Sequence, residues 1–585
     1  MKFYRYLLTG FFLFAWIVGY QQTSCCLDFM PLNNIQPGMK GYALSTFKGI
    51  TPIRFQLEIL GVIKNNPPGS GQIIAKILDG PAVNSGIMAG MSGSPVYIDD
   101  RLVGAMAFAF PFATEPISGI TPIEDMFTLW EKPTVTSNAM ASLPQKETNF
   151  FRSPQLDHRR MMFPLQIPLV SSSIFSGTFQ NNTLFNNASF LSVTGGHISD
   201  SATIQGTPPQ PGGVAGAALI TGDFQIAAMG TITAVNDDKI LAFGHPVYHM
   251  GKCNFPLTNG EVITHIPSLS NSFKLFNIGN IIGTVTQDGN AGVSGIIGAN
   301  PATIPLSIHM LTHNNIEEYN LEILNDELLT PNFCGVAAAS IISKWESTSG
   351  KMSYRIDSEF KIQDHEPVHE EHVIGMGDNP FQVMSRINNS LRFIMGNMVK
   401  NISIEYVNYK IKMDQQYEMT FLDAVSLHKN RFYPGDTIAA TIHLINHRKT
   451  NITRSITLEI PETIAEGEYY FAVYDGNQYN RLLTSHSIPA KAADNVSDLI
   501  DFLNERSSQN VLHILLLKPS VQSRIGNKIL PGLPPTLESV VGNPMLDSKF
   551  AQDYQIRASK ILSFPAQISG SKDFKIKISD VFASN

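Results

Sequence analysis

A chain of 585 residues is too long for one hydrophobic core, so several domains are expected. With 43% hydrophobic and only 16% charged residues, the composition excludes an intrinsically disordered chain. The formal net charge of −7 is small for this length and gives no support to nucleic-acid binding, which needs a basic stripe.

The N-terminus carries Lys2 and Arg5, then an apolar run from Tyr6 to Tyr20, then the polar stretch Gln21 to Ser24. That order is a secretory signal, placed at residues 1–27. A membrane span needs about 20 apolar residues, so an uncleaved anchor is the weaker alternative. The expected mature protein is soluble and exported, to the periplasm, the cell envelope or the medium. Beyond the signal only Cys253 and Cys334 remain, and one disulfide or two free thiols are both open. No C-x-x-C and no H-E-x-x-H occurs, and no metal or organic cofactor is expected.

Along the chain, short runs rich in Val, Ile, Thr and Phe alternate with Gly, Pro, Asn and Asp. "FQLEILGVIK", "QIIAKIL", "SPVYI", "LVGAMAFAF", "GTITAV", "IIGTVTQ" and "TIPLSIHML" read as strands of barrels or sandwiches. Three segments read as helices. "PIEDMFTLWEK" has Pro122 at its first turn and early acids, "PFQVMSRINNSLRFIMGN" comes later, and "NVSDLIDFLNER" takes Asn495 or Ser497 as its cap. Residues 131–160 look like a linker, 206–216 a loop, and 364–372 a charged turn. Near 415 the pattern restarts with "FYPGDTIAATIHLIN", "RSITLEIP" and "GEYYFAVYD", successive strands of a sandwich.

One serine stands out. Ser92 lies in Gly90-Met91-Ser92-Gly93-Ser94-Pro95, and a strand, a "DD" turn and a second strand come next. An acyl-transfer serine needs its own N–H, and the N–H two residues earlier, aimed at the developing oxyanion. Gly90 and Gly93 permit such a turn. The two strands after the serine fit a β-barrel rather than the strand-to-helix elbow of α/β-hydrolases. An ordinary Gly/Ser turn is the competing reading, and a serine of this kind needs a base.

Among fifteen histidines, His245 has the most suitable context. In "GTITAVNDDKILAFGHPVYHMG" two strands around a two-Asp turn deliver Gly244-His245-Pro246 at a strand end, the rigid placement a general base needs. His249 is the local alternative. As the acid that orients the base, Asp79 in "KILDGPAVNSG" ends a strand upstream of Ser92, although Asp-Gly-Pro is also ordinary turn chemistry. Asp237 and Asp238 are turn residues and Asp288 lies in a Gly-rich loop.

These segments carry a resemblance. "GMSGSPVYIDDRLVGAMAF…GITPIEDM" resembles the serine-bearing segment of the SpoIVB-type serine peptidases, the sporulation stage IV B family. "GTITAVNDDKILAFGHP" is similar to the family's histidine-bearing segment, and Ile282–Gly298 to the segment next to it in the family. The resemblance implies a mainly β, chymotrypsin-like double β-barrel with Ser92 as nucleophile and His245 as general base. The backbone of Gly90 and Ser92 would form the oxyanion hole, and Asp79 falls near the acid position, with a different spacing to the serine. The order departs from the family: here the serine half precedes the histidine half, as in a circular permutation, and no PDZ-like region precedes the catalytic part. Triads are set by geometry, not chain order, so the chemistry survives such an exchange.

The expected architecture is a serine half over 28–145, a histidine half over 146–315, a β-rich domain with one helix over 316–415 and a β-sandwich-like domain over 416–585. The expected function is an exported serine endopeptidase acting on proteins or peptides, with envelope proteins bound through the C-terminal β domains. The competing expectation is a catalytically inactive peptidase-fold scaffold or protein-binding protein. A third is self-cleavage within 131–160. "AFAFPFATEP", after the hairpin, reads as core plus loop, or as the apolar lining of a substrate pocket.

Overall fold

In a computed structural model of the protein, the residues described are 27–64, 71–110, 112–131, 162–172, 190–197, 207–311, 316–345, 352–376, 379–414, 416–447, 450–486, 495–525, 528–530 and 548–579. All but the last residue of the predicted signal and nearly all of the predicted linker lie outside them. The described residues group into two compact units. The first lies within Met1–Val170, Thr183–Ala217 and Ala228–Pro301, the second within Ser171–Asn182, Ala218–Ala227 and Ala302–Asn585.

The first unit opens with a closed barrel. Its strands are β1 (Lys40–Ser45), β2 (Ile53–Ile63), β3 (Gln72–Ile77), β4 (Pro95–Ile98), β5 (Arg101–Ala109) and β6 (Ile117–Pro122). They pair antiparallel in the order β4-β1-β2-β3-β6-β5, and β5 returns to β4 to close the ring. Period-2 alternation explains the curvature: Phe55, Leu57 and Ile59 of β2, and Ile73, Ala75 and Ile77 of β3, all point inward. Each large side chain of this kind adds roughly 1.5–3 kcal/mol by burial. The β4–β5 turn is Asp99-Asp100 with φ of 50° and 59°, the two-residue geometry that a right-twisted hairpin prefers.

A second, barrel-like sheet comes next: β7 (Val214–Gly222), β8 (Ile226–Asn236), β9 (Lys239–Ala242), β10 (Gly251–Ile266), β11 (Phe273–Gly289) and β12 (Gly292–Ile297). Its order is β7-β10-β11-β12-β9-β8, with β7 also paired to β8. Helix α1 (Ile123–Glu131) packs Ile123, Met126 and Leu129 against Ala105 of the first barrel and Leu241 and Ala291 of the second. The mainly β, double-barrel fold class expected from the sequence is the fold that forms. Every residue from Ile226 to Ala234 is buried, and within β8 Thr231 and Thr233 face the serine barrel.

In the second unit, Thr303–Leu311, Ile316–Leu324, Ile404–Asp414, Ser353–Ile362 and Val368–Ile374 share a sheet. The sequence predicted one helix in this region, and three are present among the described residues. Thr330–Trp345 is buried over nearly its whole surface, so no polar face marked it. The expected second helix breaks at Asn388 into Pro380–Ile387 and Asn389–Met395, with Asn379 accepting from the Phe381 N–H as its cap. The sandwich predicted past 415 has Ile438, Ile442, Tyr469, Phe471 and Ile514 between its sheets. Asn495, not Ser497, caps Val496–Asn504. No disulfide joins Cys253 and Cys334.

Within the first unit, the two barrels pack tightly at Gly93. Its φ is +94°, and a Cβ there would lie 2.0 Å from the Thr231 carbonyl oxygen and 2.5 Å from the Phe243 nitrogen. Both neighbours are backbone and cannot yield. Gly93→Ala should therefore cost more than about 2 kcal/mol, read as a lower denaturant midpoint. An unchanged midpoint would contradict this contact.

Candidate active site

The loop from Ala89 to Ser94 is held peptide by peptide. The Gly90–Met91 unit is fully committed: Thr231 Oγ1 donates to the Gly90 carbonyl at 2.9 Å and the Met91 N–H donates to Met88 at 3.1 Å. So is Ser92–Gly93, whose carbonyl accepts from the Thr231 N–H at 2.9 Å and whose N–H donates to Met106 at 2.8 Å. The two alternate units are half committed. The Ala89 carbonyl accepts from the Lys274 N–H at 3.0 Å and the Met91 carbonyl from the Ser94 N–H at 2.9 Å. Among the described residues the N–H groups of Gly90 and Ser92 have no hydrogen-bond partner. In a trans peptide the N–H points opposite the C=O, so both are aimed away from the groups that hold their carbonyls. Gly90 takes φ +92°, where a side chain would also strike the Phe276 ring. Ser92 is 0% exposed and its Oγ has no partner.

His245 comes after β9 through two left-handed residues, Phe243 at φ +67° and Gly244 at +69°. A bulky residue in that region is strained, and the buried Phe243 is held there by its N–H to the Thr231 carbonyl. Thr121 Oγ1 donates to the Gly244 carbonyl at 2.6 Å. His245 Nδ1 lies 3.0 Å from the Pro246 carbonyl. A carbonyl only accepts, so Nδ1 carries the hydrogen and Nε2 keeps its lone pair. That Nε2 is buried and has no partner. Burial pushes the imidazole pKa down to about 4, against a smaller upward pull from the Pro246 carbonyl. Ser92 Oγ and His245 Nε2 are thus both buried without a partner, and they are not hydrogen-bonded to each other in this structure.

The remaining candidates are placed differently. Asp79 is exposed in the turn after β3, where its Oδ1 accepts from the Gln56 N–H at 2.5 Å. Asp237, at φ 54°, makes the β8–β9 turn. His249 is exposed beside a cleft of about 640 Å³. Phe108, Leu129 and Met250 line its apolar side, and Asp125 and Asp288 its acidic side. Of the expected apolar lining segment, Phe108 faces this cleft. Burial, with Glu124 beside it, pushes Asp125 up to about 6.

Three contributors, Thr231, Thr233 and Asp288, are given no role in the site by the sequence. Thr231 and Thr233 sit two apart on β8 and so share a face, from which both hydroxyls reach the serine loop, Thr233 at the Gly93 carbonyl. Asp288 is buried and accepts from the N–H groups of Val247 at 2.8 Å and Tyr248 at 2.7 Å, fixing the loop after His245. "QDGN" reads as a plain turn, and nothing local reports that its carboxylate faces inward.

The buried neutral His245 has a pH signature. Its folded pKa, about 4, lies below the ordinary 6.5, so the unfolded chain takes up a proton first as pH falls. Stability should drop between those values by up to about 3 kcal/mol. His245→Asn should flatten this slope in denaturant titrations, and an equal slope in both proteins would refute the assignment.

Residues 26–127, the segment that carries Ser92, match the model of the SpoIVB peptidase S55 family. The segment with His245 lies outside that match. No curated protein and no solved structure gives a match. Over residues 26–127 the chain is therefore similar to the SpoIVB-type serine peptidases.

Proposed function

We propose that the protein is an exported serine endopeptidase acting on proteins or peptides of the cell envelope. The observation that carries this reading is the pattern of N–H groups in the serine loop. Met91, Gly93 and Ser94 spend theirs within the structure, while Gly90 and Ser92, the two that would face an oxyanion, keep theirs free. In the first step His245 Nε2 takes the proton of Ser92 Oγ as the oxygen attacks the scissile carbonyl carbon. The oxyanion is held by the Gly90 and Ser92 N–H groups. The imidazolium then gives its proton to the leaving amine, and a water activated by the same imidazole releases the acyl group. Asp79 is occupied with Gln56, and the group on His245 Nδ1 is the Pro246 carbonyl. The reading is therefore of a Ser–His dyad whose loop Asp288 steadies. The cleft beside His249 would receive an apolar substrate side chain against Phe108 and Leu129. The C-terminal sandwich would serve as the docking module for envelope proteins.

One observation favours a second reading, a catalytically inactive scaffold that keeps the peptidase fold. Ser92 is 0% and His245 1% exposed, so a substrate reaches them only if the site opens. A fluorophosphonate probe separates the two. The expected result is labelling of the wild type, no labelling of Ser92→Ala, and labelling of His245→Ala slowed by about 100-fold or more. Absence of label on the wild type, or equal label on Ser92→Ala, supports the scaffold.

A further inference from the structure

Lys274, on β11, is a fully buried lysine that the dyad does not use. It is 1% exposed, and no carboxylate bonds to its amine among the described residues. Its Nζ donates to Ser45 Oγ at 2.7 Å, and Ser45 Oγ lies 2.8 Å from Ser94 Oγ. The other groups around it are the Phe47 ring, 5.1 Å from Nζ, and His265, its register partner on β10, which stands edge-on to Phe47. Burying an ammonium without a counter-charge is costly, and a methionine would fill a similar volume without that cost.

The same residue reaches both half-committed peptides of the serine loop. Its backbone N–H holds the Ala89 carbonyl, which aims the Gly90 N–H. Its side chain, through Ser45, holds Ser94, whose own N–H holds the Met91 carbonyl and so aims the Ser92 N–H. We propose that Lys274 is a positioning residue for the nucleophile loop, setting the Ser92 N–H through the Lys274–Ser45–Ser94 chain. The proposal rests on the peptidase reading for its catalytic consequence. It also has a direction. A charged amine only donates, so Ser45 must accept from it and donate onward to Ser94. A neutral amine accepts, which lets Ser94 donate to Ser45 and Ser45 to Nζ, reversing the chain. Burial pushes the Lys274 pKa down to about 7, so the two arrangements exchange near neutrality. The ammonium-held loop is the set form.

Lys274→Met and Ser45→Ala test this by two readouts. The first is hydrogen exchange over residues 88–95 at pH 6. Both variants should speed it by about tenfold or more; Lys274→Met should keep the wild-type unfolding midpoint or raise it, whereas Ser45→Ala, which leaves the buried amine without its acceptor, should lower it. The second is the fluorophosphonate rate against pH. It should fall in the wild type as pH rises through about 7, and this step should be absent from Lys274→Met. Unchanged exchange in both variants, or a pH step that survives Lys274→Met, overturns the proposal. Should Lys274→Met not fold, Ser45→Ala carries both readouts, since it cuts the chain and leaves the amine. The exchange readout does not need a reactive serine. A wild type that takes no label therefore counts against the peptidase reading alone, and exchange still decides the role of Lys274.

Discussion

Thr231 touches the serine loop twice and the histidine strand once. Its N–H goes to the Ser92 carbonyl, its Oγ1 to the Gly90 carbonyl, and its carbonyl takes the Phe243 N–H. These are short bonds between main-chain or threonine groups, without long flexible side chains, so they fix position at little entropic cost. Once they form, the Gly90–Met91 and Ser92–Gly93 peptide planes are fixed, and the alternate planes, which carry the free Gly90 and Ser92 N–H groups, are set by the Lys274 and Ser94 N–H groups. The strained backbone at Phe243 and Gly244 is tolerated because the same threonine anchors it. A β-strand of the second barrel thus acts as the template on which a loop of the first and the end of its own hairpin are set.

The surroundings of that template are dry. Ser92, His245, Asp288 and Lys274 are all buried, and burial pushes the imidazole and the amine toward their neutral forms and the Asp288 carboxyl toward its neutral form against the pull of backbone N–H groups. In such surroundings an unpartnered donor is worth more to a developing charge than in water, because it has no solvent to give up. The same dryness closes the site. Under the peptidase reading a substrate reaches Ser92 and His245 only if the site opens, and Asp288, which holds the loop after His245, borders the cleft.

Much of this was legible in the sequence. Alternation in "FQLEILGVIK" and "QIIAKIL", and the Asp-Asp turn, are local signals, and each gave the element that forms. Gly90, Ser92 and Gly93 were readable because a turn of that shape needs glycine. The rest depends on contacts across long stretches of chain. Thr231 lies about 140 residues from the carbonyls it holds, and Lys274 reads as one more residue in a strand until β1 and the serine loop are brought to it. The helix Thr330–Trp345 escaped notice for a different reason, since burial on all sides removes the polar stripe by which helices are recognised.

The central claim is that the free Gly90 and Ser92 N–H groups, Ser92 Oγ and His245 Nε2 belong to one reaction centre. A crystal structure of the protein carrying a covalent peptidyl phosphonate tests it most directly. Expected is a bond from Ser92 Oγ to phosphorus. One phosphonyl oxygen should lie within about 3.1 Å of the Gly90 and Ser92 nitrogens, with His245 Nε2 within about 3.2 Å of an oxygen on that phosphorus. An adduct on another residue, or one on Ser92 with those nitrogens uncontacted and His245 turned away, would contradict it.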